Sequence, residues 1–255
     1  MENSFTILDL LLGGILGLIS ASLAAHFGYR SADRLPGETR MPQCVFCMRS
    51  LQLHEYFPLF GWLLRLNALR LPCPCGKKTG LWTQPLIEGI GFLLGAGTVF
   101  ITGWTTLLIP VCLGLGLLPA IAMIDLAFGL IPDELNAALA LCGFSSLVIG
   151  YGDISWGLIN ASALLALGLF LALGYSKMRG REMLGLGDVK FFAAAGLWLP
   201  LQLSPWFLGM AGILGIVMGL FWRLTIGEKE FPFAPALCLS LGLCIYYQLY
   251  LYSFP

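Results

Sequence analysis

Apolar runs of about twenty residues follow one another along almost the whole chain. A run of that length crosses a ~30 Å hydrocarbon core as a helix, with every backbone N–H and C=O bonded inside the segment. They are read at about 5–28, 82–101, 106–124, 135–151, 155–175, 187–200, 205–222 and 233–252. Of the 255 residues 58% are apolar and only 11% charged, against roughly 25% charged in soluble domains. The mean hydropathy is +0.85. The first run is expected to remain as a span, because it is long for a cleaved signal and its start, "MENSF", lacks the basic n-region of such peptides. The expected fold is an all-α polytopic membrane protein of about eight transmembrane helices.

The positions of lysine and arginine orient these spans, since basic residues in short loops stay on the cytoplasmic side. Arg30, Arg34, Arg40, Arg49, Arg65, Arg70, Lys77 and Lys78 lie between the first two spans; Lys177, Arg179, Arg181 and Lys190 flank the sixth; Arg223 and Lys229 separate the last two. Eight spans with the N-terminus outside put all fourteen on one face. Zero net charge thus conceals a basic cytosolic face suited to anionic membrane lipids. Nucleic acid is not an expected partner. Pro200 and Pro205 interrupt the sixth and seventh runs, so one of these passes is expected to be short.

Residues 29–80 form the one long polar loop, expected in the cytosol between the first span (1–28) and a membrane domain over 81–255. It carries Cys44 and Cys47 as C-x-x-C and Cys73 and Cys75 as C-x-C. Two close pairs across a spacer can give four thiolates to a tetrahedral structural zinc, in a zinc-ribbon-like loop. A reducing cytosol disfavours disulfides, and free thiols are the plainer alternative. Cys112, Cys142, Cys238 and Cys244 fall in spans and read as small packing residues.

Ionisable groups in spans are costly, and each is a functional candidate. Asp125 ends the third span, Asp188 opens the sixth in "GLGDVK", and Glu88 lies early in the second. The topology puts all three at cytosolic helix ends. Two facing carboxylates share a proton, and such a pair can activate water with one member and protonate a peptide carbonyl with the other. Gly185 and Gly187, lacking side chains, would let a substrate backbone come close to Asp188. The plainer reading has Asp188 capping its helix. Asp133 and Glu134 follow Pro132 and are read as first-turn charges that cap the fourth helix.

The chain resembles the type IV prepilin leader peptidases, bacterial membrane aspartic proteases that also process type II secretion pseudopilins. "ASLAAHFGYRSADRLPGE" is similar to the family's G-S-F-x-N-V-x-x-x-R, with Ser22 and Arg30 in register. "LHEYFPLFGWLLRLNALR" matches E-N-I-P-x-x-S-W-L-x-L-R-G-R at Glu55, Pro58, Trp62 and Leu63, and "QPLIEG" resembles Y-P-L-V-E. "IDLAFGLIPDEL" pairs an aspartate with I-P-D eight residues on, followed later by G-x-G-D-x-K.

The resemblance implies that Asp125 and Asp188 are the catalytic pair of an endopeptidase in the bacterial inner membrane. It implies cutting after a glycine at the cytosolic face, so that a prepilin or pseudopilin loses its basic leader. Many relatives also methylate the new amino terminus with S-adenosylmethionine, and the cysteine loop is associated with that step. Here the chain departs from the pattern: Ala21, Leu23 and Ala25 replace the family's glycine, phenylalanine and asparagine, and the second cysteine pair is shortened. Glu88 matches the family's glutamate and is expected near substrate or loop.

Two other readings predict different things. A transporter would carry carboxylates near mid-bilayer and recognisable repeats; these carboxylates are at the boundary, and no repeat is evident. In a non-enzymatic assembly factor the aspartates would only cap helices, and asparagine would replace them without loss.

Overall fold

The computed structural model describes residues 6–32, 83–174, 184–225 and 231–253. Within them the chain is helical. The long elements are α1 (Ile7–Ala32), α2 (Thr83–Thr102), α3 (Leu108–Phe128), α4 (Asp133–Ser146), α5 (Ile154–Leu169), α6 (Leu186–Trp198), α7 (Ser204–Thr225) and α8 (Ala234–Ser253). Wider π-helical turns extend α4 through Leu147–Tyr151 and α5 through Phe170–Gly174. Seven of these segments are long and apolar enough to cross a membrane. The eighth, α6, stands where the sequence placed a span over 187–200 but has only 13 residues, about 20 Å at 1.5 Å per residue.

α3 is the central pillar. A helix apolar on all sides calls for enclosure on most of them, and Leu108, Cys112, Leu115, Leu117, Ala120 and Ile124 are buried on different sides of it, while Ile109 stays exposed. α7 lies at the other extreme: Ile213, Ile216, Leu220 and Phe221 are exposed, as expected of a helix whose solvent is lipid.

α1 and α2 meet through two small-residue motifs, Gly13-x-x-x-Gly17 and Gly91-x-x-x-Gly95. A Cβ on Gly95 would lie 2.1 Å from the Gly13 carbonyl oxygen, and one on Gly17 would lie 2.2 Å from that of Gly91. Only glycine permits this backbone approach, which in lipid supplies the packing that burial from water cannot.

The short α6 ends inside the bundle, where its last carbonyls have no water to bond. Asn160 of α5 serves them: its Nδ2 donates to the carbonyls of Gly196 at 3.2 Å and Leu199 at 2.7 Å. Ser204 in turn donates to Asn160 Oδ1 at 2.8 Å. Trp198 anchors the same end. Its indole fills space left by Gly114 and Gly143, and its Nε1 donates to the Leu139 carbonyl at 3.0 Å.

Candidate active site

The ends of α3, α4, α6 and α8 carry most of the candidate residues, with contacts from α3 to α8 and from α4 to α6. α3 stops at Gly129, whose φ of 68° is the left-handed conformation of a helix C-cap. The Gly129 N–H donates to the Asp125 carbonyl at 2.7 Å, which fixes Asp125 in the last turn. The Asp125 side chain is 5% exposed. Its Oδ2 accepts the backbone N–H of Ala234, the first residue of α8, at 2.8 Å.

Asp188 stands in the first turn of α6, half-buried. Gly185 holds the N-cap position and has no side chain to bond there, while the Asp188 carboxylate, in the first turn, accepts the Gly185 backbone N–H, the helix-start contact that the plainer reading of the sequence expects. Asp125 and Asp188 also lie close enough to feel each other's charge. The buried thiol of Cys238, one turn into α8, lies within range of both.

The two glycines of G-x-G-D differ in surroundings. A Cβ on Gly185 would come within 3.4 Å of Asp188 Oδ2, so the exposed Gly185 keeps one flank of the carboxylate open. A Cβ on Gly187 would lie 3.2 Å from Ile131 Cβ and 3.4 Å from the Ile131 backbone nitrogen and oxygen. The space at Gly187 is taken by the I-P-D segment.

That segment grips α6 twice more. Asn136, 4% exposed, donates Nδ2 to the Gly187 carbonyl at 3.1 Å. Lys190 Nζ meets both carboxylate oxygens of Asp133 at 2.6 Å. Asp133 and Glu134 lie in the first turn of α4 as expected, after Pro132 at the N-cap. The Asp133 carboxylate is also drawn to Lys190 across the helix interface.

Glu88 is 2% exposed, and its Oε1 accepts from Ser22 Oγ and Gln84 Nε2, each at 2.8 Å. The Ser22 bond ties α2 to α1. It also joins two of the sequence segments that matched the family pattern separately.

Sequence reasoning missed Ala234, Asn136 and Asn160. The two asparagines had a readable signal, a polar side chain in an apolar helix. Ala234 had none, because its backbone N–H makes the contact. Cys112, Cys238 and Cys244 are buried and Cys142 partly so, all as free thiols. Among the described residues no group of three or more His, Cys, Asp or Glu side chains is arranged to hold a metal. Cys44, Cys47, Cys73 and Cys75 lie outside the described residues.

Two carboxylates in range of each other, one enclosed and one flanked by an open glycine, have the arrangement needed for acid–base work on a backbone carbonyl. Comparison with known proteins gives this arrangement a context. Residues 112–220 match the model of the type IV leader peptidase family. The chain is 32% identical over 209 residues to a prepilin leader peptidase/N-methyltransferase of Pectobacterium carotovorum subsp. carotovorum, covering 77% of this chain and 71% of that protein. It is 30% identical over 204 residues to a protein of the same description from Legionella pneumophila, covering 77% and 69%. No solved structure matches.

Proposed function

Since the chain belongs to the type IV leader peptidase family, we propose that it is a membrane aspartic endopeptidase that removes the leader of type IV prepilins or pseudopilins, with Asp125 and Asp188 as its catalytic pair. The observation that carries this reading is the packing of two carboxylate-bearing helix ends 63 residues apart in sequence: Gly187, next to Asp188 at the start of α6, seats against Ile131, six residues past Asp125 at the end of α3.

The pair holds one proton between its two members. The ionised carboxylate takes a proton from water as the water oxygen attacks the scissile carbonyl carbon; the protonated one gives its proton to the carbonyl oxygen. On collapse of the tetrahedral intermediate the C–N bond breaks and the amine takes the pair's proton; the new carboxylic acid gives a proton back to the pair, which restores its single proton and leaves a leader carboxylate. Gly185 leaves room for an extended substrate backbone beside Asp188.

The position of the pair at helix ends suits a substrate whose apolar helix stays in the bilayer while its leader emerges beside basic loops. On that reading the site faces the cytosol and the membrane is the bacterial inner membrane. α1 runs to Ala32, past the boundary at 28 read from the sequence; the segment between it and α2, on the same reading, is cytosolic and associated with methyl transfer from S-adenosylmethionine. Its two cysteine pairs, Cys44 and Cys47 with Cys73 and Cys75, are a donor set suited to a structural zinc.

The test is to incubate the purified protein with a prepilin and S-adenosylmethionine and to weigh the products. Loss of the leader, with a mass change locating the cut after glycine, supports the peptidase. An added methyl group on the shortened chain establishes the second activity. A wild type inert on several prepilins would overturn the reading.

A further inference from the structure

Asn136 is a buried amide in the second turn of α4, within a segment otherwise occupied with packing. Its Nδ2 donates to the carbonyl of Gly187 at 3.1 Å. That carbonyl belongs to the peptide unit whose nitrogen is Asp188's, so the bond fixes the plane from which the Asp188 side chain departs. The Oδ1 of the same amide is buried and has no partner among the described residues. Leaving an acceptor buried and unbonded costs free energy that an apolar side chain of similar size would not incur.

A residue kept only to join α4 to α6 would gain from being leucine. Packing here is already provided by Ile131 against Gly187, and an ion pair by Asp133 with Lys190. What Asn136 adds is direction.

We infer that Asn136 is a positioning residue of the peptidase reaction, holding the Gly187–Asp188 peptide so that the Asp188 carboxylate stands at the working distance from Asp125. This rests on the assignment of Asp188 to the catalytic pair. It concerns orientation alone: Asn136 exchanges no proton with substrate.

The two roles separate experimentally. Asn136→Leu removes the directional bond and the orphan acceptor together, while Asn136→Thr retains a hydroxyl donor. Leader removal from a prepilin would be measured across substrate concentrations, with folding followed by thermal unfolding in detergent. The leucine variant is expected to unfold no earlier than wild type, keep KM within about 2-fold, and lose about 10- to 100-fold in kcat, the scale of a catalytic group displaced by an ångström. The threonine variant is expected to recover most of kcat.

A folded leucine variant with wild-type kcat would overturn the inference. So would loss of stability in parallel with activity in both variants, which is the signature of a helix tie. Inert wild-type protein would overturn the peptidase assignment first and this inference with it.

Discussion

The carboxylate of Asp125 accepts the backbone N–H of Ala234 at 2.8 Å, joining the last turn of α3 to the first residue of α8 across 109 positions of sequence. An asparagine at 125 offers the same acceptor through its carbonyl oxygen but cannot take a proton from water. Asp125→Asn is therefore expected to keep its thermal stability while losing at least about 10²-fold in leader removal. Asp125→Ala, which leaves the buried Ala234 N–H without its acceptor, is expected to lose about 1–3 kcal/mol as well. Denaturation curves beside cleavage rates check both.

Asn160 supplies the two hydrogen bonds that close the C-terminal end of α6. Asn160→Leu is expected to destabilise the protein by about 1–3 kcal/mol, because the Gly196 and Leu199 carbonyls lose a donor in a dry interior. The loss should appear as a lower unfolding midpoint, with earlier hydrogen exchange in α6 than in α3.

The number, type and rough limits of the helices were legible in the sequence because the bilayer demands long apolar runs. Asp125 and Asp188 stood out for the same reason, as charges in an apolar setting. What could not be read was how a 13-residue α6, cut short before Pro200, survives. Its support comes from Asn160 and Trp198, whose partners are backbone carbonyls far away in sequence. Asp133 stands in the first turn where an acid suits the helix dipole; its pairing with Lys190, 57 residues on, was not legible because only the fold brings the two together. The α1–α2 contact was legible in principle: the two G-x-x-x-G motifs are local patterns.

That contact makes a direct prediction. A side chain at Gly95 must displace the Gly13 backbone, 2.1 Å from where its Cβ would stand. Gly95→Val is expected to cost about 1–3 kcal/mol, the usual range for overpacking. Since the α1–α2 packing also brings Ser22 to Glu88, the Glu88 environment should change with it. Unfolding in detergent reads the first effect. Cysteine crosslinking between α1 and α2 reads the second.

Lys190 and Asp133 are half or more exposed, 50% and 68%. In such a setting an ion pair contributes little, and a double-mutant cycle with Lys190→Met and Asp133→Asn is expected to return a coupling of roughly 0.2–1 kcal/mol. Added salt should reduce it. Coupling well above that range would mean that this pair does more than a surface ion pair to seat α6 on α4.

The account turns on Asp125 and Asp188 acting together, and one measurement tests this most directly. Purified wild type, Asp125→Asn, Asp188→Asn and the double variant would be incubated with one prepilin, and the intact product masses read over time. If the carboxylates work as one unit, each folded single variant loses nearly as much activity as the double variant, because the effects of residues acting together do not add. A folded Asp188→Asn protein that removes the leader at the wild-type rate would contradict the account.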